Sequence, residues 1–325
     1  MRLPKFDYVE PKSLKEAARV FALQPKGSAF LAGGTDLLVR MKYRVKAPTR
    51  IINLKTIPRL ARITDGRDGV RIGALATLDD LASSPVIQER YPSLAHACRE
   101  VGAYGHQVMG TMGGNLCQEN RCRFFNQSVF WRSVRPLCFK AGGEICHVVR
   151  KARECHSTYC GDLAPVLIAL GAEINLLGPN GERRLPLRRL YTGNGAKPLS
   201  LKKGEILREV FIPSSSGETV YLKWRLRDSL EYPIVSVAVS LDRSETRQIK
   251  KATMVFSGVG PDPVETVEAE KTLKGGLLDD GTIDRTSAQA VKEISPMRTS
   301  IHSPAYKRKM AGILLGQALE KLREL

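Results

Sequence analysis

The chain has 325 residues, 42% of them hydrophobic, which is enough to bury the cores of two or three domains. Its formal net charge of +18 rests on scattered Lys and Arg residues. With only 6% aromatic residues and no zinc-finger or helix-turn-helix spacing, this composition argues against nucleic-acid binding. The chain starts without a signal-peptide pattern and has no run of roughly 18 apolar residues, so we expect a cytoplasmic protein that does not enter a membrane.

Strand and helix patterns alternate in the first 60 residues. Short apolar strands are predicted at residues 6–9, 29–31 and 50–54. Ser13 and Glu16 have the spacing of a capping box, which predicts a helix that runs to Leu23. The succession of strand, helix, strand, helix and strand predicts a small α/β unit with a parallel sheet.

From residue 70 to about residue 213, short strands recur with helices between them. Strands are predicted at residues 70–73, 172–177 and 209–213. Thr77 has the N-cap pattern of a first helix, and residues 163–170 form a second, apolar one. The segment 213–217, Pro-Ser-Ser-Ser-Gly, has the composition of a linker.

A separate α+β domain is predicted after this linker. Three strands are expected at residues 219–225, 234–241 and 251–258, and the rest of the chain to Leu325 is mostly helical. We therefore predict an α+β fold with a first domain at residues 1–216 and a second at residues 217–325. The second domain is expected to contain a three-stranded antiparallel sheet and helices.

Two glycine-rich segments of the first domain indicate a ligand site. They are residues 32–36, Ala-Gly-Gly-Thr-Asp, and residues 110–115, Gly-Thr-Met-Gly-Gly-Asn. Consecutive glycines let neighbouring N–H groups point the same way and allow a phosphate to approach closely. Neither segment is a G-x-G-x-x-G fingerprint or a P-loop. Each alone is typical of a tight turn, whereas the pair indicates a pyrophosphate held from both sides.

Both segments resemble the two flavin-binding segments in the FAD-binding medium subunit of molybdenum hydroxylases, the family of xanthine dehydrogenase and carbon monoxide dehydrogenase. Further similar segments are residues 72–77, 161–165, 204–207 and 259–263, with Lys223 and Arg227. The resemblance implies a two-part FAD-binding domain of the vanillyl-alcohol-oxidase-like type, with parts at residues 1–57 and 58–216. It also implies a C-terminal domain of the CO dehydrogenase flavoprotein type.

The resemblance also implies which residues hold the FAD. One side of the pyrophosphate would contact Gly33, Gly34, Thr35 and Asp36, and the other Thr111, Gly113, Gly114 and Asn115. Thr77 and Asp162 would contact the ribityl or adenosine portion, and Lys223 would lie near the isoalloxazine, where a cation stabilises a reduced, anionic flavin. The remaining implied contacts are Leu31, Ala32, Leu37, Gly110 and Leu207. Residues 107–109 depart from the family pattern, because many relatives carry a longer, arginine-containing segment there.

Six of the seven cysteines lie within 44 residues: Cys117, Cys122, Cys138, Cys146, Cys155 and Cys160. A dense disulfide cluster is unusual in the cytosol, so thiolate ligation of a metal or an iron–sulfur cluster is the favoured interpretation. The spacing of the inner four, C-x15-C-x7-C-x8-C, excludes bacterial ferredoxin spacing and the usual zinc-ribbon pairs. The spacing alone fits zinc and a [4Fe–4S] cluster equally well.

These cysteines lie in an insert at about residues 118–158, where most members of the family pass almost directly to the helix at residue 163. An insert of this kind resembles that of the flavin subunit of 4-hydroxybenzoyl-CoA reductase, a family member with an additional [4Fe–4S] cluster. This resemblance implies four metal ligands: Cys122, Cys138, Cys146 and Cys155. The other three cysteines, Cys98, Cys117 and Cys160, are predicted to be small buried residues.

Residues 119–157 hold eight Lys or Arg against three acidic residues, together with Phe124, Phe125, Phe130 and Trp131. The aromatic side chains would keep water away from a cluster, and the positive charge would attract an acidic electron carrier such as ferredoxin. Both features are equally compatible with a structural role in a long loop.

The resemblance implies an oxidoreductase subunit that transfers electrons and has no catalytic residue of its own. A molybdenum-cofactor large subunit and a [2Fe–2S] small subunit would be its partners, in a dimer of heterotrimers. Electrons from ferredoxin would pass through the [4Fe–4S] cluster, FAD and the [2Fe–2S] clusters to molybdenum. At molybdenum, 4-hydroxybenzoyl-CoA would be reduced to benzoyl-CoA.

Two alternatives stay open. The first is the FAD subunit of another molybdenum hydroxylase, which passes electrons outward to NAD or a quinone. The second is a basic zinc-binding nucleic-acid module, which predicts salt-dependent binding and no flavin.

Overall fold

The computed structural model describes residues 2–214 and 217–325. The first sheet is built from β1 (Asp7–Val9), β2 (Ser28–Leu31) and β3 (Arg50–Asn53), with α1 (Leu14–Leu23) and α2 (Leu37–Lys42) between the strands. The strand order is β1-β3-β2, and β3 pairs in parallel with both neighbours. The predicted small parallel α/β unit is therefore confirmed.

Helix caps fix two of the predicted helix starts. Ser13 Oγ accepts a hydrogen bond from Glu16 N at 3.1 Å at the start of α1. The Glu16 carboxylate, however, accepts from Lys12 N at 2.8 Å rather than from Ser13 N, so only half of the predicted capping box forms. Thr77 forms a complete box with Asp80, in which each side chain accepts from the other residue's backbone N–H.

The second sheet has five antiparallel strands in the order β4-β5-β8-β6-β7. They are β4 (Ile63–Gly66), β5 (Gly69–Gly73), β6 (Glu173–Gly178), β7 (Gly181–Pro186) and β8 (Ile206–Pro213). The sequence patterns did not predict β4 and β7. Both are edge strands with largely exposed side chains, so they lack the apolar alternation on which strand prediction depends.

Seven helices lie between β5 and β6 in the chain: α3 (Leu78–Ser83), α4 (Pro85–Arg90), α5 (Pro92–Arg99), α6 (Tyr104–Gln107), α7 (Met112–Leu116), α8 (Val129–Ser133) and α9 (Leu163–Ala169). The apolar helix α9 is entirely buried, as its sequence predicts. It packs against α5 on one side and against strands of the C-terminal domain on the other. Two 3-10 turns, Phe139–Ala141 and Leu187–Leu190, complete this region.

The third sheet is antiparallel, with the order β12-β11-β10-β9. Its strands are β9 (Glu218–Trp224), β10 (Val235–Arg243), β11 (Ile249–Ser257) and β12 (Val264–Glu265), and α10 (Val267–Leu273), α11 (Asp280–Glu293) and α12 (Pro304–Glu324) follow. The predicted sheet had three strands and lacked β12. An edge strand of two residues is too short to give a sequence pattern.

The two halves of the chain share a hydrophobic core. Tyr221, Ala238 and Val255 of the third sheet are buried together with α9 and the five-stranded sheet. The predicted linker at residues 213–217 includes residues 215 and 216, which lie outside the described residues. None of the helices in the described part of the chain has the length and apolarity that a membrane crossing requires.

The insert is a loop closed at its base by two backbone hydrogen bonds. Arg121 N donates to Thr158 O at 2.8 Å, and Thr158 N donates to Arg121 O at 2.9 Å. The loop is anchored to the C-terminal domain, since Arg123 N donates to Thr299 O at 2.8 Å. It is anchored to the first part of the chain where Arg132 donates to Arg44 O at 3.2 Å. The insert therefore bridges both parts of the protein.

Candidate functional site

A cleft of about 470 Å³ opens between the two glycine-rich loops and the five-stranded sheet. The first loop, residues 32–36, joins β2 to α2, and the second, residues 110–115, leads into α7. Leu207 on β8 and Tyr232, between β9 and β10, line other walls. The volume lies in the range of roughly 300–1,000 Å³ that is typical of cofactor sites. We call this space the glycine cleft.

The two glycine-rich loops contact each other directly through their backbones. A Cβ atom at Gly33 would lie 1.8 Å from the carbonyl oxygen of Met109, so only glycine permits this approach. Gly34 has a φ of +80°, in the left-handed region that favours glycine. The loops therefore form one continuous wall of the cleft, and glycine is required at their point of contact.

Internal hydrogen bonds hold the second loop in place. Thr111 Oγ1 accepts from Gly114 N at 3.1 Å, which caps α7. Gly113 N donates to Ala74 O at 2.8 Å, and this attaches the loop to the end of β5. Asn115 Oδ1 accepts from the backbone N–H at the start of α9 at 3.3 Å. These hydrogen bonds fix the loop to β5 and α9.

Asp162 lines the cleft from the N-cap of α9 and is almost completely buried. Tyr221 donates a hydrogen bond to Asp162 Oδ1 at 2.7 Å, and Lys223 Nζ lies 3.0 Å from the same oxygen. Burial raises the pKa of the Asp162 carboxyl, while Lys223 and Tyr221 oppose this rise. Lys223 also donates to Glu100 O at 2.7 Å. Its amine is therefore held behind Asp162, and Lys223 is not among the cleft-lining residues.

Most of the predicted FAD contacts line the cleft: Ala32, Gly33, Gly34, Thr35, Asp36, Leu37, Gly110, Thr111, Gly113, Gly114, Asn115, Asp162 and Leu207. Three predicted contacts lie behind its walls. Leu31 packs in the core beside the first sheet, the Thr77 hydroxyl caps α3, and Lys223 pairs with Asp162.

The sequence predictions missed the basic residues of the cleft, which include Arg40, Lys46, Arg121 and His106. Arg40 follows Asp36 by four residues, and this i,i+4 spacing on α2 is a local signal for the ion pair that the two residues form at 3.7 Å. Arg121 has no such signal. It reaches Asp36 from 85 positions away, so only the fold brings the two together.

Arg121 joins three parts of the protein at the edge of the cleft. Its guanidinium pairs with Asp36 and lies 4.8 Å from the centre of the Tyr232 ring in the C-terminal domain. Among the described residues, Arg121 Nε and Arg40 Nε are buried without a hydrogen-bond partner. Buried donors that lack acceptors favour an anionic ligand, and the diphosphate of a dinucleotide has that charge.

A second, smaller cavity lies inside the insert, and all four predicted metal ligands line it: Cys122, Cys138, Cys146 and Cys155. We call it the cysteine cavity. Phe124, Phe125, Phe139, Lys140 and His147 also line it. All of these cysteines have free thiols. The fold therefore gathers four sulfur donors from well-separated positions into one largely apolar pocket.

Backbone N–H groups point at three of these sulfurs. Val149 N donates to Cys146 Sγ at 3.4 Å, and Ser157 N donates to Cys155 Sγ at 3.5 Å. Burial raises the pKa of the Cys122 thiol, and hydrogen bonds from the backbone of Phe124 and Phe125 act against that rise. Such donors stabilise the thiolate form, which is the form that binds metals.

The four cysteines line one shared space. Within residues 2–214 and 217–325, no three His, Cys, Asp or Glu side chains converge closely enough to hold one metal ion. A single zinc ion needs its sulfurs at about 2.3 Å from one centre, whereas the ligands of a four-iron cluster each bind a different iron and stand further apart.

The remaining cysteines lie outside the cysteine cavity. Cys98 is completely buried, and its pKa is raised by burial. Cys117 and Cys160 line the glycine cleft instead. Burial raises the pKa of Cys117 to about 12, so this thiol stays protonated at neutral pH.

Two family models match the chain. One, described as the FAD binding domain in molybdopterin dehydrogenase, matches residues 4–215, and the CO dehydrogenase flavoprotein C-terminal domain matches residues 221–322. The chain is 24% identical to the glyceraldehyde dehydrogenase medium chain of Sulfolobus acidocaldarius, over 98% of this chain and 99% of the relative. It is 30% identical to the aldehyde oxidoreductase FAD-binding subunit PaoB of Escherichia coli, over 83% and 86%.

A solved structure has the same fold. The carbon monoxide dehydrogenase from Hydrogenophaga pseudoflava superimposes with a TM-score of 0.82 at 25% identity, covering 98% of each chain.

Substitution of Gly33 by alanine tests the contact between the loops. The new methyl group would collide with Met109 O, and overpacking of this kind costs about 1–3 kcal/mol, so we expect the FAD dissociation constant to rise by roughly tenfold or more. The measurement is calorimetric titration of the flavin-free chain with FAD. Gly105→Ala is the matched control, because a Cβ at Gly105 meets nothing within 4 Å. Unchanged FAD affinity in Gly33→Ala would contradict the role of this contact.

Proposed function

Because the chain belongs to the FAD-binding medium subunits of the molybdenum hydroxylase family, we propose that it is the subunit that carries electrons to or from a molybdenum-containing partner. The site that binds FAD is the glycine cleft. Bound FAD supplies the exchange between one-electron and two-electron transfer. The protein supplies position and charge, and the chain needs no acid–base pair of its own.

Each wall of the cleft has a distinct part in this proposal. The first glycine loop would present its backbone N–H groups to the diphosphate, the second would lie against it, and Arg40 and Arg121 add positive charge. Asp162 would bind a hydroxyl of the flavin side chain. Tyr221 and Lys223 fix its carboxylate from behind. Lys223 is therefore proposed to act through Asp162 rather than by direct contact with the isoalloxazine.

We also propose that Cys122, Cys138, Cys146 and Cys155 hold a [4Fe–4S] cluster. The observation that carries this proposal is that four free thiols from distant positions line one cavity. The N–H donors at the sulfurs stabilise the thiolate form that a cluster requires. Free thiols are kept reduced in the cytoplasm, which is where we place the protein.

The relatives are named as medium chains or FAD-binding subunits, and this supports partners that carry the molybdenum cofactor and [2Fe–2S] clusters. We propose an assembly of two such heterotrimers. The two domains are proposed to be residues 1–216 and 217–325, with the insert at about 118–158 as an addition to the first.

The direction of electron flow distinguishes two candidate functions. The relatives with dehydrogenase and oxidoreductase names favour the subunit of another molybdenum hydroxylase, which passes electrons outward to NAD or a quinone. The cysteine cavity favours the second candidate, 4-hydroxybenzoyl-CoA reductase, in which ferredoxin delivers electrons through a [4Fe–4S] cluster for the reduction of 4-hydroxybenzoyl-CoA to benzoyl-CoA.

The surface of the insert fits an acidic protein carrier. Arg150, Lys151 and Arg153 lie in the chain between Cys146 and Cys155, and each is exposed. Large apolar side chains are exposed on the same insert, with Phe130 81% and Leu137 56% accessible. Exposed apolar side chains and exposed cations on one insert are suited to a short-lived complex with an acidic protein such as ferredoxin.

Cysteine substitutions test the cluster. After expression without oxygen, Cys122→Ser, Cys138→Ser, Cys146→Ser and Cys155→Ser should each lower the iron and sulfide content from about four per chain to below one, because each removes one of the four cysteine ligands of the site. Iron analysis and absorbance near 400 nm are the measurements. Cys98→Ala is the control, since Cys98 is buried away from both cavities. The assignment fails if any of the four serine variants keeps a full complement of iron.

Charge reversal on the insert tests the electron donor. In the purified complex, Arg150→Glu with Arg153→Glu should slow reduction by reduced ferredoxin by roughly tenfold at low salt, and the difference should shrink as salt screens the charges. Stopped-flow measurement of flavin bleaching gives the rate. Lys203→Glu is the control on an exposed lysine outside the insert. Reduction by ferredoxin that is slow in the unmodified complex, with fast reduction by NADH, would instead favour the hydroxylase alternative.

A further inference from the structure

A continuous chain of ion pairs runs from the cysteine cavity to the glycine cleft. Lys140 Nζ lies 2.8 Å from Glu119 Oε2, and Glu119 Oε1 lies 3.8 Å from Arg40. Arg40 in turn lies 3.7 Å from Asp36 Oδ2, and Asp36 Oδ1 pairs with Arg121. We call these five residues the ion-pair chain. Its charges alternate in sign from end to end, so each member depends on its neighbours.

The two ends of the ion-pair chain belong to different sites. Lys140 lines the cysteine cavity, where its ammonium lies 5.5 Å from the Phe125 ring centre, and its side chain is only 4% exposed. Arg121, Asp36 and Arg40 line the glycine cleft. Glu119 is the only link of the five that lines neither space. It therefore joins the sites without belonging to the lining of either.

Hydrogen bonds to the backbone make the position of the Lys140 ammonium depend on how the insert is folded. Its ammonium donates to Asn120 O at 3.0 Å and to Gly195 O at 3.0 Å, so it holds the base of the insert to the body of the protein. In the chain, Lys140 follows Cys138 by two residues, within the 3-10 turn that Cys138 caps. The position of Lys140 is therefore tied to that of a proposed cluster ligand.

The central carboxylate is held in its charged form. Burial alone would raise the pKa of Glu119, but Lys140 and Arg40 outweigh this effect and lower it. Charged groups removed from water interact more strongly than surface pairs, and loss of one partner leaves its neighbour without compensation. A displacement of Lys140 therefore changes how Glu119 divides its attraction between Lys140 and Arg40.

We propose that the ion-pair chain couples the two sites, so that filling the cysteine cavity tightens the binding of FAD in the glycine cleft. A filled cavity fixes Cys138 and with it Lys140, which then holds Glu119. Arg40 and Arg121 then keep their positions around Asp36, in the first glycine-rich loop, which would face the diphosphate of FAD. Glu119 is the positioning residue of the ion-pair chain. The inference rests on the proposed function, because it requires both cofactors.

Coupling between two sites must be reciprocal. If iron–sulfur loading raises the affinity for FAD, bound FAD raises the retention of the cluster by the same factor. The experiment therefore uses the 325-residue chain in two forms, one stripped with a chelator and one reconstituted with ferrous iron and sulfide without oxygen. Calorimetric titration with FAD gives the dissociation constant of each form. We expect binding to be about fivefold or more tighter in the loaded form, which is the lower end of typical coupling between sites.

The Glu119→Gln variant removes the central charge while keeping the size of the side chain. It should bind FAD with the same affinity in the stripped and loaded forms, and its cluster should survive chelator challenge equally with and without FAD. Glu119→Asp keeps the charge and should restore part of the difference. Glu182→Gln is the control, because Glu182 forms an exposed 2.8 Å ion pair with Arg208, and neither residue lines either cavity.

The outcomes separate the inference from the function on which it rests. Iron and flavin analysis of the Glu119→Gln variant establishes that both cofactors are present before the titration is interpreted. A coupling that persists unchanged in this variant overturns the role of the ion-pair chain and leaves the proposed cofactors intact. Equal FAD affinity in the stripped and loaded forms of the unmodified chain has the same consequence. A chain that takes up no iron overturns both the cluster and the coupling.

Discussion

Two backbone hydrogen bonds between Arg121 and Thr158 are the contact on which the connection between the two candidate sites depends. They close the base of the insert and fix two neighbouring residues, Arg121 and Cys122, that line different sites. The Arg121 side chain lies in the wall of the glycine cleft, and Cys122 lies in the wall of the cysteine cavity. One peptide bond therefore joins the two candidate redox sites. An insert attached elsewhere on the surface would have no such connection to the cleft.

The insert is anchored by polar contacts rather than by a core of its own. Lys140 bonds to backbone oxygens at its base, and Asn120 donates to Pro261 O at 2.6 Å across to the C-terminal domain. Many of its apolar side chains stay exposed, Phe130 most of all. A segment of this size with little buried apolar surface gains much of its order from cross-links, and a metal cluster with four thiolate ligands is one such cross-link. The alternating charges of the ion-pair chain extend that order toward the glycine cleft.

Local patterns in the sequence predicted those parts of the structure that depend on local physics. The cap at Ser13, the parallel first sheet, the buried helix α9 and the glycines of the two loops are all encoded within a few residues. The reason for Gly33 was not local, because the atom that excludes a side chain there belongs to Met109 in the other loop. The four cysteines were recognisable as a group, but spacing alone did not distinguish zinc from a cluster. Their arrangement around a common volume is a property of the folded insert.

Predictions were incomplete where long-range contacts decide the structure. Arg121 and Asp36 meet across 85 positions, and no pattern in the sequence marks either as the partner of the other. Lys223 was expected beside the flavin ring, yet its ammonium lies behind Asp162, because β9 packs against α5 and α9 and buries it. The edge strands β4, β7 and β12 were missed because polar or very short strands carry no apolar alternation. In each case tertiary packing, rather than local preference, determines the outcome.

The central claim is that this chain holds an iron–sulfur cluster beside its flavin. Electron paramagnetic resonance of the isolated chain, reduced with dithionite and free of partner subunits, tests this claim most directly. Without the small subunit, no [2Fe–2S] cluster contributes to the spectrum. We predict the signal of a reduced [4Fe–4S] cluster, with about four iron atoms and one FAD per chain. A chain that binds FAD but contains zinc, or neither metal, and has no cluster signal would contradict this claim.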